Sequence, residues 1–330
     1  MMRIWRGFFR PFLAFGAACL CLGLVLGWFQ SAHPALDSFS HFRMVFAALL
    51  AFTLPVLWLT RLRKLLWTSV AVLLVSVALS APYLPGFERG FAVASLTGDK
   101  PKLRVVQMNL RFDNRTPLDA ADIITDAKAD IIILQEVTRY TDGVLARLQS
   151  THPTQITCHT NRVGSVAILS RYPLDPVLAP DCRRWQGFAQ ATLRLPDQFG
   201  DSKSVTVASF HSHWPWPRGQ AAQLARLEST IQRLPGPLIF AGDFNSAPWS
   251  AVVQRLAKWT NTQVVSGLHL TWAPRTLRKT PEWLRPFTFA LLPIDHILHS
   301  RHFAPADRER LGHGGSDHYA VVTDFVFVGK

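Results

Sequence analysis

Cysteine is scarce in this chain: there are four in 330 residues, and none falls in a CxxC or mixed Cys/His spacing. The absence of that spacing excludes a zinc site of the finger or ribbon type. Internal repeats and low-complexity tracts are also missing, which excludes a repeat architecture. Acidic residues are few, 22 against 35 lysines and arginines, so the formal net charge is +13. Residues 1–99 hold eight basic and three acidic groups, and residues 100–330 hold the remaining 27 and 19. The net of +8 on the second part favours polyanionic partners, nucleic acid or acidic lipid headgroups, through long-range attraction. A merely solvated basic surface would carry the same charge.

Charge is absent altogether from three stretches, residues 12–29, 44–60 and 65–87, of 18, 17 and 23 residues. A hydrocarbon core of ~30 Å needs roughly 20 helical residues, with about 17 as the lower limit. All three therefore qualify as spans. Pro55 lies inside the second, where a membrane helix tolerates it at the cost of a kink. Trp5, Trp28, Trp58 and Trp67 fall near the ends of the runs, as interfacial aromatics do. A cleaved signal peptide with Arg3, Arg6 and Arg10 as its basic region would explain only the first run, and no small-x-small cleavage site follows Phe29. Buried core helices would also be apolar, but three in succession without an amphipathic stripe are unusual. Cys19 and Cys21, within the first run, read as inert small hydrophobes.

Orientation follows from the basic residues in short loops. Arg3, Arg6 and Arg10 precede the first run, and Arg61, Arg63 and Lys64 separate the second from the third. The intervening loop offers only Arg43 against Asp37. Both basic segments are expected in the cytoplasm, so three spans place everything after residue 87 outside it. In a Gram-negative bacterium this is an inner-membrane protein with a periplasmic domain. The expected organisation is an anchor over 1–87, a linker over 88–101 rich in Gly, charge and Pro, and a globular domain over 102–330.

Within that domain, residues 103–109, 130–134, 164–169, 189–195, 205–211, 238–241, 294–298 and 320–328 read as strands. Thr116-Pro117 supplies an N-cap and a first-turn proline for a helix carrying Ala120, Ile123, Ile124 and Ala127. Residues 218–234 and 251–257 are helical by spacing, and Pro-Gly-Pro at 235–237 ends the first of them. Many strands with a few interspersed helices predict an α+β fold, two packed sheets flanked by helices as a four-layer sandwich.

Several of these strands end in residues that packing does not need. These are Asn109, Glu136, His211 with His213, Asp243 and Asn245 of Gly-Asp-Phe-Asn, Asp295, and Asp317 with His318 of Gly-Ser-Asp-His. Each alone reads equally as a turn or a solvated strand end. In this order, however, the succession Asn109, LQE, SFH, GDFN, IDHIL and GSDH resembles the endonuclease/exonuclease/phosphatase family over about residues 102–328.

That resemblance implies a metal-dependent phosphoester hydrolase. It makes Glu136 the principal metal ligand, assisted by Asn109 and Asp317, and gives Asp243 and Asn245 the attacking water and the scissile phosphate. Asp295 would orient His318 and favour its imidazolium, and His211 would face the phosphate from the other side. His211 is preferred to His213 because the family histidine closes its strand, although both project to one face of an extended chain. An oxygen-rich donor set without thiolates suits Mg2+ or Mn2+ better than zinc. The aromatic run Trp214-Pro-Trp-Pro217 departs from nuclease patterns and would serve base stacking, a membrane surface or loop packing.

A nuclease-like phosphodiesterase is thus the leading expectation. A phospholipid or sphingomyelin phosphodiesterase and a silent polyanion-binding envelope module are its rivals. In an oxidising compartment Cys158 and Cys182 are expected to form a disulfide closing a loop of about 25 residues, worth ~3 kcal/mol on the chain-entropy estimate.

Overall fold

The apolar run from Asp130 to Leu134 explains the layering. Successive residues of a strand face opposite sides. Ile131 and Ile133 enter one core, while Ile132 and Leu134 enter another. A strand buried on both faces reads as continuously apolar. Each such side chain, fully buried, contributes roughly 1.5–3 kcal/mol.

The computed structural model describes residues 2–84, 100–161, 163–199, 204–273 and 292–329. Most of the linker expected over 88–101 (residues 88–99), with the end of the third apolar run, lies outside the described residues. Two six-stranded sheets stack face to face. The first has the order β11(Phe303–Arg310), β12(Val321–Phe327), β1(Lys102–Asn109), β2(Ile131–Val137), β4(Gly164–Ser170), β3(Thr154–Asn161). The second runs β5(Asp181–Arg183), β6(Phe188–Arg194), β7(Ser204–His211), β8(Leu238–Asp243), β10(Asp295–Ser300), β9(Thr262–Val264).

Each sheet contains one parallel pair, β1–β2 and β7–β8, and its other pairings are antiparallel. In the first pair the crossover carries Pro117–Asp126, and in the second it carries Gln220–Ile231. In chain order the helices are α1(Met2–Trp28), α2(Pro34–His41), α3(Arg43–Leu59), α4(Arg63–Ser80), α5(Pro117–Asp126), α6(Asp142–Leu148), α7(Gln220–Ile231) and α8(Ala251–Thr260). Helices α5 and α6 cover the outer face of the first sheet, and α7 and α8 that of the second. The result is the expected four-layer α+β sandwich.

The expected strands all form, with ends shifted by a few residues at most. Pro117 opens α5 as read, yet Thr116 makes no side-chain cap. Strands β3, β5, β9 and β11 and helix α6 were not legible. β11 contains Pro305 and four charged residues, the composition of a sheet edge rather than a core strand. Cys158 on β3 and Cys182 on β5 are joined, their Cα atoms 5.4 Å apart, so the bond ties one edge of the first sheet to the second.

Among the described residues two helical stretches are long and apolar enough to cross a membrane, Phe9–Trp28 and Arg63–Tyr83. The middle run differs from expectation. It forms α3, 17 residues long, joined to α2 at a bend of 57°, and counts as a third span only if that pair is taken together. Arg43 is the first residue of α3, which at 1.5 Å per residue is about 25 Å long. Helices α1, α3 and α4 share a small core with Ala17, Leu24, Leu50 and Val72 at its centre.

Candidate active site

The two parallel pairs decide where the functional residues meet. In a parallel pair both C-terminal ends lie at the same edge, so Asn109 and Glu136 end up together, as do His211 and Asp243. The register places His211 opposite Asp243, and Asp295 opposite Asp243 from the antiparallel side. His318 enters just before β12, beside the end of β1.

Two local departures from regular strand geometry aim the carboxylates. Glu136 sits in a bulge of β2 with φ +58°, which breaks the alternation that would otherwise turn it to the helix-covered outer face with Ile132 and Leu134. Gly164 makes room for that bulge, because a Cβ there would lie 2.8 Å from the Glu136 carbonyl carbon. Before Asp243, Gly242 lets β8 approach β7 so closely that a Cβ would fall 1.9 Å from the Phe210 oxygen. Asn245, with φ +49°, turns back so that its backbone N–H donates to Asp243 (2.8 Å) and its amide donates to the Ser212 carbonyl (2.8 Å).

The cluster has two halves. In the first, His318 Nδ1 lies 2.9 Å from Asp295 Oδ2, and His318 Nε2 lies 3.7 Å from Asp243 Oδ2. Gln107 donates to the other Asp295 oxygen at 3.0 Å. Burial alone would depress the His318 imidazole, but Asp295 and Asp243 outweigh it and raise the group to about 10, so it is an imidazolium at neutral pH. Burial pushes Asp295 upward as well, yet His318 and hydrogen bonds from Thr271 and Gln107 hold it below the ordinary carboxylate range. Asp243 is pushed up by burial, partly countered by His318, to about 6.

The second half holds Glu136. Its oxygens accept from the Asn109 amide (3.1 Å) and the Phe112 N–H (2.7 Å). Asn109 also donates to Asp243 at 3.0 Å and so links the halves. His211 Nε2 lies 3.7 Å from Glu136 and 3.6 Å from Asp243, and burial lowers its pKa, favouring a neutral ring. Glu136 is raised chiefly by burial, and among the described residues no lysine or arginine lies within salt-bridge distance of it.

His213 does not join the cluster. Its half-buried side chain faces Gly219, and its backbone N–H donates to Gln223. Asp317 stands at the edge, 4.0 Å from Arg111 and near enough to Glu136 and His318 to perturb both.

Three ligand-type groups, Asp243, Asp295 and His318, lie within 4.8 Å of one another. That triad already contains its own cation, the His318 imidazolium. Its two carboxylates still outnumber that one cation, and Glu136 adds a further carboxylate beside Asn109, Asp243 and Asp317. Apart from Asn109, whose amide nitrogen faces Glu136 and Asp243, those donors are carboxylate oxygens, which suit a hard divalent cation such as magnesium.

The supporting residues were not read from sequence. Gln107, Gln135 and Ser209 form a buried polar ladder between the sheets, and Ser316 donates to the Asn109 carbonyl at 2.7 Å. Gln107 carried a signal: a polar residue two places before Asn109 in an apolar strand shares its face.

Comparison with known proteins agrees with this geometry. A model of the "Endonuclease/Exonuclease/phosphatase family" matches residues 106–318. The UPF0294 protein VP2298 of Vibrio parahaemolyticus is 22% identical over 242 residues, covering 71% of this chain and 82% of that protein. Among solved structures, an endonuclease/exonuclease/phosphatase from Bacteroides vulgatus superimposes with a TM-score of 0.53 at 15% identity, over 69% of this chain and all of that one. One from Beutenbergia cavernae gives 0.50 at 15%, over 68% and 72%. Likenesses at that identity speak to the fold.

Proposed function

The chain belongs to the endonuclease/exonuclease/phosphatase family, and on that premise we propose that it is a membrane-anchored, divalent-metal-dependent phosphodiesterase. The observation that carries the reading is the meeting of Asp243, Asp295 and His318 with Glu136 and His211 at one end of both sheets. A silent binding module would not need an imidazolium held between two buried carboxylates.

Glu136, Asn109 and Asp317 would hold Mg2+ or Mn2+, which when bound neutralises charge on the phosphoryl oxygens. The remaining work falls to the chain's own residues. Asp243, poised near neutral by burial, orients the attacking water with Asn245 and takes its proton. His318, charged and fixed by Asp295, stabilises the phosphoryl oxygens as negative charge builds there. His211, neutral, faces the phosphate from the Glu136 side and assists the leaving oxygen.

The basic loops support a periplasmic position for this domain in a bacterial inner membrane. The test is turnover of a water-soluble aryl phosphodiester by the full chain in detergent, with magnesium and with chelator. Wild-type turnover in both Glu136→Gln and His318→Ala would sink the assignment.

A further inference from the structure

The loop that follows Asp243 and Asn245 does not end in solvent. Its Trp249 is buried to 2% exposure among residues from the outer ends of all the anchor helices. The indole N–H donates to the Ser40 carbonyl (2.7 Å), and Gln30 donates to the Trp249 carbonyl. Arg43 lies over the ring at 5.8 Å, and Tyr83 meets it edge-on at 6.0 Å. Nearby, Asp37 accepts from the N–H groups of Ala251 and Val252, the first turn of α8, where a carboxylate satisfies unpaired donors and the helix dipole together. His41 accepts from Ala247. Asp37, Ser40, His41 and Arg43 are all buried. A flexible tether would leave them in water.

This collar also touches the rim of the site. Ser38 Oγ donates to the Trp216 carbonyl at 3.2 Å. Trp216 and Trp214 are 53% and 58% exposed, although tryptophan is ordinarily well covered. Trp214 packs edge-on against Trp272, which is bridged by backbone hydrogen bonding to the His318 segment. Helix α2 leaves α3 at 57°, so it lies slanted across the outer end of the spans with Phe39 and Phe42 exposed. Slanted helices with exposed aromatics belong at the headgroup level. On the other flank a groove of about 790 Å3 beside Gln30 and Ser31 is lined by Arg255 and Lys258 together with Glu228, a net positive wall that suits anionic headgroups.

We propose that α2 is a fixed collar of the active site, keyed by Trp249, that holds the Trp214–Trp216 rim at the bilayer surface so that the enzyme draws its phosphoester from a lipid headgroup. The inference rests on the hydrolase reading above and names its substrate class. A mouth held at the interface meets lipid at high local concentration, whereas a polymer in the aqueous phase must reach under the rim.

The experiment uses the full chain reconstituted in vesicles of zwitterionic and anionic phospholipid. Release of phosphorylated headgroup is compared with turnover of a soluble aryl phosphodiester and of a single-stranded DNA oligonucleotide. The expected result is lipid turnover above that of the oligonucleotide. The ratio of lipid to aryl-ester turnover should fall at least tenfold in Trp214→Ser/Trp216→Ser, and also in Trp249→Ala where that variant folds. Aryl-ester turnover without lipid turnover, faster cleavage of DNA, or an unchanged ratio in the exposed double variant would each overturn the lipid inference and leave the hydrolase reading standing. Inactivity on all three substrates would overturn the hydrolase reading, and the inference with it.

Discussion

His318 shares its Nδ1 proton with Asp295 at 2.9 Å while its Nε2 faces Asp243 at 3.7 Å, so one ring is braced by a carboxylate on each side. The brace fixes both the tautomer and the charge. Asp295→Asn leaves the shape but removes the charge that keeps the ring protonated. Turnover of the aryl phosphodiester should fall roughly 10²- to 10⁴-fold, the usual worth of a positioned acid or base, with KM little changed. A loss confined to KM would show that Asp295 serves binding rather than proton placement.

Much of this site was legible because its residues sit at strand ends in a fixed order, and strand ends survive as patterns in sequence. GDFN and GSDH both follow or precede strongly apolar strands, so their polar residues stand out. What was hidden depends on pairing. Glu136 is aimed by a bulge whose space comes from Gly164 on another strand. β11 was not legible because edge strands carry charge and proline. The contact of Asp37 with the first turn of α8 joins segments more than two hundred residues apart, and no local spacing encodes it.

Among the described residues no lysine or arginine lies within salt-bridge distance of Glu136, so its loss should appear as a change in metal requirement. Glu136→Gln should lower turnover by more than about 100-fold at fixed magnesium, beyond the upper end of the range for groups that merely support a ligand. Chelator should abolish wild-type turnover, and added Mg2+ or Mn2+ should restore it. Full activity in chelator would remove the metal from the mechanism.

The topology makes a joint prediction with the cysteines. A periplasm-active reporter fused after Lys330 should work and a cytoplasm-active one should not. In the same exported chain, non-reduced mass spectrometry should find Cys158 linked to Cys182. Removing that link should cost about 3 kcal/mol of stability if loop entropy dominates. Two free thiols would argue against both the bond and the oxidising compartment.

His296 offers a pH dependence away from the metal-binding residues. Its ring is buried, with Nε2 at 2.8 Å from the Ser246 carbonyl and a face against Phe244 at 5.6 Å. Burial is the main cause that lowers its pKa from 6.5 to about 4, with Arg308 adding repulsion, the Ser246 hydrogen bond and Asp295 opposing, and His41 close by. Between pH 6.5 and 4 the unfolded chain therefore binds a proton at this position that the folded chain refuses. Stability falls as pH drops through that window, and the loss from this one group should reach about 2 kcal/mol by pH 5. The thermal midpoint of the full chain in detergent, followed by tryptophan fluorescence, should drop between pH 7 and pH 5. In His296→Gln, which keeps an amide to meet Ser246 but has nothing to protonate, the drop should be smaller. The same slope in both proteins would mean that His296 is not a source of the acid sensitivity.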